Sequence, residues 1–467
     1  MHKSGRATAV NNEKTTHICH CCVREEYLST LIREGGKSRI CSYCGKKRES
    51  VSMKIFADHI ENAFKCHYEL TANEPDFYQS IMMRDDDSNY EWERSGYQID
   101  EAIADAACVS FDIANDVQEE LEARYYDHDD WGECEFSSES HYEERTIDDT
   151  KWQAEWQIME YSLRNEARLY NIKVTDTLTK LFHGIAGLNG KGGNPVIITV
   201  DPLDNEFRLY RARAFSKRED VIKALENPEK ELGPPPSQFS TSGRMNSTGI
   251  SIFYGAIESE TAIAEVRPYV GSSVVTAQFH FTRALTLLDL NALAMTYAER
   301  SSIFDHTYSE KLAHHAFLRG LEDRLIVPVA PESENQNYIL TQAIADFLAS
   351  HEANIDGIIF KSTQTNTSAQ NIALFHKSSR VKSAPTERHR NVYESEDDHE
   401  DPNSDFSYNV TEEDIGNRDE ADRFVFPGFV SHVDDNREDS LTIDLNSIVV
   451  HEIQGVEFKC NSGKLQR

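Results

Sequence analysis

The sequence is poor in basic residues: 48 Lys and Arg face 80 Asp and Glu across 467 residues, leaving a formal net charge of −32. That field repels phosphate backbones and disfavours indiscriminate nucleic-acid binding. The local basic patch of Lys37, Arg39, Lys46, Lys47 and Arg48 is small against it. Long apolar runs are also missing. Nothing approaches eighteen consecutive apolar residues, which argues against a membrane span. The polar stretch from Met1 to Lys14 lacks the apolar core of an export signal, so a cytoplasmic location is expected. Walker A spacing is absent around Gly190-Lys-Gly-Gly193, and a phosphate-loop reading there fails. Nine cysteines, an odd number, do not make a disulfide framework.

What is present is unevenly placed. Five cysteines fall before residue 45, in a unit expected to span residues 17–50. Cys19-x-x-Cys22 and Cys41-x-x-Cys44 are separated by the spacing of a four-cysteine zinc site. Each pair turns back on itself, so four thiolates can meet one tetrahedral ion, with no position left for water. The zinc is therefore expected to be structural. His20 and Cys21 crowd the first knuckle as substitute ligands, while Cys66, Cys108, Cys134 and Cys460 read as ordinary thiols.

Acid is concentrated as well. Between Asp85 and Asp149 there are 23 acidic residues and 3 basic ones, and a second acidic stretch runs from Glu394 to Asp422. Solvated helix faces and loops account for such runs; a partner-docking surface is the sharper alternative. Helical periodicity dominates residues 51–186, through Ile55, Ile60, Ala63 and Phe64, then Ile103, Ala107, Phe111, Val117 and Leu121, then Trp156, Met159 and Leu163. Four glycines and a proline between Gly187 and Pro195 end that pattern.

Beyond this hinge the period becomes two. Short β-branched and aromatic runs at 196–200, 206–210, 251–254, 273–281, 285–290, 357–360 and 371–375 alternate with helical stretches at 260–267, 310–319 and 341–351. The expected class is α+β, with a mixed β-sheet over residues 195–382. Residues 384–440 read as an acidic insertion or linker, and 441–460 as a last strand segment that rejoins the sheet.

Four segments there carry chemistry: Leu209-Tyr-Arg-Ala-Arg213, Gly243-Arg-Met-Asn246, Phe253-Tyr-Gly-Ala256 and Thr261-Ala-Ile-Ala-Glu-Val-Arg267. Planar guanidinium groups at a strand end and beside a glycine suit bidentate capture of phosphate. A carboxylate nearby suits an oxocarbenium-like centre. By themselves these residues describe a sugar-phosphate site and no more.

In order and spacing, the segments resemble the RES domain. The resemblance implies an ADP-ribosyltransferase-like fold and an NAD-degrading activity of the kind used by toxins of toxin–antitoxin pairs. It matches the family's arginine to Arg211, its tyrosine to Tyr254 and its glutamate to Glu265. The family's serine is matched to Ser362, which closes the 357–360 strand. Arg213, Gly243, Arg244, Asn246, Thr341 and Gln342 are implied as substrate-binding residues, with Met245 departing from the family's usual aromatic. NAD is the implied substrate, with inorganic phosphate a candidate co-substrate and an antitoxin or regulatory protein, or a second copy of the chain, as partner. The expected function is cleavage of the nicotinamide–ribose bond by phosphorolysis or hydrolysis. ADP-ribosyl transfer to a macromolecule and a non-enzymatic zinc-binding interaction protein are the alternatives. The N-terminal half is assigned to sensing, oligomerisation or restraint.

Overall fold

A computed structural model of the chain describes residues 16–85, 89–125, 134–203, 207–326, 338–350, 354–365, 369–383, 388–394, 408–414 and 435–457. Cys460 and most of the acidic stretch 394–422 lie outside the described residues, as do 86–88 and 126–133 of the earlier one. The chain forms two compact units: residues up to Thr150 together with Ala298–Ala316, and Lys151–Tyr297 together with the residues from Phe317 on. No helix among the described residues is long and apolar enough to cross a membrane.

In the first unit, β1 (His17–Cys19), β2 (Lys37–Ile40) and β3 (Lys47–Ser52) form an antiparallel sheet in the order β1-β3-β2. The helix Glu26–Gly35 is capped by the Glu25 carboxylate, which accepts from the Leu28 amide at 2.7 Å. Gly36 ends it, where a Cβ would meet the Ile32 carbonyl oxygen at 2.3 Å. A second sheet pairs β4 (Tyr68–Leu70), β5 (Tyr97–Gln98) and β6 (His141–Glu144) in the order β4-β6-β5.

No break in packing falls at residue 50. Ile18, Leu28 and Ile32 from the cysteine-rich segment share one core with Phe56, Ile60, Phe64, Ile103, Val117 and Leu121. The helix Met53–His67 buries Phe56, Ala57, Ile60, Ala63 and Phe64, and turns Ile55 outward. Phe111, expected on the buried face, is 56% exposed because it opens its helix. Ile303 and Phe304, far along the chain, complete this core.

The helices Thr150–Asn165 and Ile172–Leu181 depart from the expected boundary at residue 186. Their buried residues Trp156, Met159, Leu163, Val174, Leu178 and Leu181 pack with Leu288, Phe317, Leu321 and Ile344 in the second unit. The glycine loop then turns the chain, with Gly192 and Gly193 at φ 85° and 82°, a region most side chains avoid.

The second unit is built on an eight-stranded mixed sheet. Its strands are β7 (Ile197–Val200), β8 (Leu209–Phe215), β9 (Phe253–Ala256), β10 (Ser273–Phe281), β11 (Leu285–Asp289), β12 (Gly357–Lys361) and β13 (Gln370–Leu374), with β14 (Arg388–Glu394) and β15 (Tyr408–Asp414) as a separate hairpin, and β16 (Leu441–Glu452) at the edge. The order is β16-β10-β8-β9-β13-β12-β11-β7, and among the described strands of this sheet β11 and β12 pair in parallel while the other neighbours pair antiparallel. The expected α+β class with a mixed sheet is the one found.

Alternation divides the strand residues between apolar layers: Leu288, Ile358 and Ala373 pack with the helices Thr150–Asn165 and Ile172–Leu181, while Val275, Phe279, Leu287 and Ile372 pack with Val221, Ala224 and Leu225 of the helix Arg218–Glu226. β8 starts later than the 206–210 expected, because its buried anchors are Leu209 and Phe215. The insertion 384–440 is not uniformly polar loop. Arg390 of β14 makes two bonds of 2.9 Å to the Glu229 carboxylate and one of 3.1 Å to Glu412 of β15.

The revised boundary is testable. Trp156, 5% exposed, packs against Phe317 at 5.5 Å between ring centroids. Trp156→Ala is expected to destabilise the second unit by about 3–5 kcal/mol. In a calorimetric or denaturant scan it should shift the transition that Phe279→Ala shifts, and leave the one moved by Phe56→Ala.

Candidate active site and metal centre

The cysteine spacing closes as the chemistry requires. Cys19 and Cys41 are buried, and the ligand sulfurs of Cys19, Cys22, Cys41 and Cys44 all lie within 4.8 Å of one another. Measured pairs are 3.7 Å for Cys19–Cys22, 3.6 Å for Cys19–Cys44 and 3.7 Å for Cys22–Cys41. A tetrahedron with zinc–sulfur bonds of about 2.3 Å has edges near 3.8 Å, so the four sulfurs fit that ion. Burial pushes the Cys19 and Cys22 thiols up. It pushes Cys41 up too, but backbone N–H groups of Cys44 and Tyr43 outweigh it and bring that thiol down to about 7.

Cys21 and His20 stand outside the cluster: Cys21 is exposed, and His20 lies 3.7 Å from Glu49. Inside the second knuckle, the Tyr43 hydroxyl donates to Asp116 at 2.5 Å, tying the cysteine turn to the helix Phe111–Tyr125. Among the described residues, this is the one group of three or more His, Cys, Asp or Glu able to share a metal. His314 and His315, adjacent on a helix, have ring centroids 6.2 Å apart and take no part in such a group.

In the second unit a cleft of about 320 Å3 opens at β8, β9, β12 and β13. Arg211, Arg244, Tyr254 and Glu265 all line it, together with Arg267, Tyr338, Lys361 and Asn371. Glu265 ends the helix Ser259–Glu265, a place where the helix dipole disfavours a carboxylate. Two neutral donors compensate. Ser362 Oγ and Asn371 Nδ2 each donate to Glu265 Oε1 at 2.7 Å. Ser362 directly follows β12 and Asn371 lies on β13, so adjacent strands deliver both groups to one oxygen. Both residues are buried while Glu265 is exposed to the cleft.

Arg211 lies in the floor of the cleft, its guanidinium carbon 4.9 Å from the Phe253 ring centre. Burial and the neighbouring Arg213 charge pull it down to about 10, which leaves it cationic at neutral pH. Its Nη1 is buried without a partner, and so is Asn371 Oδ1. A buried donor and a buried acceptor left open on one cleft are costly unless a ligand satisfies them.

The Tyr254 hydroxyl is already engaged. It accepts from the Met245 amide at 2.9 Å and donates to Asn246 Oδ1 at 3.1 Å, so only the ring is available to the cleft. Burial pushes this phenol upward.

The turn Gly243–Asn246 is a supporting structure. Gly243 has no room for a side chain, since a Cβ would meet Asn246 Oδ1 at 2.5 Å. Asn246, 4% exposed, donates to the Thr241 and Ile250 carbonyls at 2.9 and 2.8 Å. Gln342 donates to Ser242 Oγ and to the carbonyls of Gly243 and Asn246 at 2.9, 2.9 and 3.0 Å. The Thr341 hydroxyl donates to the Arg244 carbonyl. Asn246, Thr341 and Gln342 therefore clamp the turn and are not among the residues that line the cleft. Arg213 is also elsewhere, donating to Glu231 at 2.6 Å on the carbonyl and 2.9 Å on the carboxylate. Arg244 reaches the cleft from this turn, donating to the Leu325 carbonyl at 2.8 Å and lying over the Tyr338 ring.

Residues 208–395 match the family model of the RES domain. The chain carries a RES domain. RES domains belong in general to NAD-degrading, toxin-type proteins, which makes NAD the substrate class the domain implies. No curated protein matches the chain. The matched span holds every residue that lines the RES cleft, and it ends at residue 395, one residue past β14 and beyond the expected limit of 382.

Asn371, like Arg267, Tyr338 and Lys361, lines the cleft without having been expected there. Its signal was available: an asparagine inside an apolar strand must have a buried partner. The four-cysteine cluster carries its own prediction. Purified protein should contain one zinc per chain by plasma mass spectrometry, and Cys22→Ser or Cys41→Ser should lose it. The same variants should unfold the first unit at lower temperature, because metal binding there contributes to folding.

Proposed function

We propose that the RES domain cleaves the nicotinamide–ribose bond of NAD, with water or inorganic phosphate as acceptor. The observation that carries this reading is the grip of Ser362 and Asn371 on a single oxygen of Glu265. Among the described residues neither bond falls on Oε2, so the carboxylate is held in place with one oxygen still available.

The chemistry asks little of a proton donor. As the bond between the anomeric carbon and the pyridinium nitrogen breaks, its electron pair goes to that nitrogen. Nicotinamide then leaves neutral and unprotonated. The positive charge remaining on the ribose is what needs stabilising, and a fixed carboxylate supplies that electrostatically. Water or phosphate then adds to the anomeric carbon; water gives up its proton, to Glu265 or to solvent. The open Nη1 of Arg211 suits a phosphate oxygen and the open Oδ1 of Asn371 suits a hydroxyl or carboxamide N–H. Arg244 adds a second cation, and the ring of Tyr254 a flat apolar wall. Ser362 and Asn371 act through Glu265 as positioning residues.

An enzyme that consumes NAD harms its own cell unless restrained. The first unit, with its zinc centre, is proposed as that restraint or as a sensor, in a cytoplasmic toxin or defence effector with a protein partner or a second copy of the chain.

With purified full-length protein and NAD, Glu265→Gln is expected to reduce nicotinamide release by at least about a hundredfold. Ser362→Ala and Asn371→Ala should reduce kcat by roughly tenfold each while the folded state persists. Mass spectrometry separates the acceptors: ADP-ribose marks water, ADP-ribose-1″-phosphate marks phosphate, and a labelled macromolecule marks ADP-ribosyl transfer. Undiminished turnover in Glu265→Gln would sink the reading.

A further inference from the structure

A second groove, of about 970 Å3, adjoins the RES cleft, and Arg267 and Thr363 line both. Its remaining wall includes Ile263, Tyr269, Val270, Ile453 and Val456. Tyr269 and Val270 are 58% and 59% exposed and give the groove an apolar wall open to solvent.

Arg267 marks the junction in two further ways. Its backbone sits at φ 47°, a left-handed conformation that costs a non-glycine residue energy and often accompanies function. Among the described residues its guanidinium has no hydrogen-bond or ion-pair partner, although acid abounds in this sequence.

The first cleft lies at the lower end of the range for small-molecule pockets, about 300–1,000 Å3, and suits one nucleoside-sized half of a dinucleotide. From this continuity we infer that the adjoining groove receives the adenosine half of NAD, with the pyrophosphate held at the junction by Arg267. The inference rests on the NAD-cleaving reading above. Charge fixes the placement. Glu260 and Glu457 also line the groove, where carboxylates repel phosphate and accept from ribose hydroxyls or an adenine amino group. The phosphates therefore stay at the arginine, and the nucleoside passes beyond it. Tyr269 supplies a ring on which adenine stacks, a contact indifferent to base edges.

ADP-ribose contains the adenosine half and both phosphates but no scissile bond, so its binding is measured apart from turnover. Calorimetry with the full chain should show binding to the wild type. Arg267→Gly removes the cation at a backbone angle that glycine adopts freely, so its melting temperature should not fall. Its affinity should drop by more than about tenfold, the loss of a charge-assisted contact. Tyr269→Ala should weaken ADP-ribose several-fold and leave nicotinamide mononucleotide, which lacks the adenylate, unchanged. Wild-type affinity for ADP-ribose in both variants, with NAD still consumed by the wild type and spared by Glu265→Gln, would overturn the groove and leave the proposed reaction standing. A wild type that neither binds ADP-ribose nor releases nicotinamide would overturn both.

Discussion

A carboxylate at the end of a short helix, pinned through one oxygen by a serine and an asparagine from neighbouring strands, is the constraint around which the RES unit is arranged. The pairing register of β12 and β13 decides whether the two donors can converge, since a slip of one residue would turn Asn371 to the opposite face. The register is in turn held by the apolar residues that flank the asparagine, Ile372 and Leu374 on one side of the sheet and Ala373 on the other. Core packing thus sets the position of a single acidic group to within a hydrogen bond's tolerance. The lone buried donor on Arg211 and the lone buried acceptor on Asn371 break the rule that buried polar atoms are paired, and they do so at the same place.

Around this centre the division of labour differs from what residue type suggests. Arginine, tyrosine and glutamate line the cleft, yet the amide and hydroxyl residues near them mostly build the turn that presents Arg244. Gln342 ties three residues at that turn together from a helix about a hundred residues later in the chain. A glycine that cannot tolerate a Cβ, a buried asparagine and a clamped tyrosine hydroxyl complete a rigid support. Rigid support of this sort is how a site keeps its charges where the reaction needs them.

Much of this was legible in the sequence. The cysteine spacing specified the sulfur cluster because two tight knuckles have little freedom, and period-two runs specified most strands of the sheet. Local pattern failed where a long-range partner decides. Arg211 and Arg213 lie two apart on one strand and look equivalent; only Glu231 and Glu231's carbonyl draw the second away. The helices after Thr150 look like a continuation of the N-terminal half until their apolar faces are matched to Phe317 and Ile344. Likewise β14 and β15, short and rich in charge, give no periodic signal; bonds from Arg390 to Glu229 and Glu412 reveal them.

The last strand of the sheet has a consequence for how the chain must be made and kept. β10 is paired on one side by β8, and its other side is covered by β16, whose Leu441 sits opposite Phe281 after a gap of well over a hundred residues. Until that C-terminal segment has emerged from synthesis and docked, a nine-residue strand shows a row of unpaired backbone groups. A prematurely terminated or nicked product would therefore offer a template for strand addition by another molecule, and its first failure would be self-association.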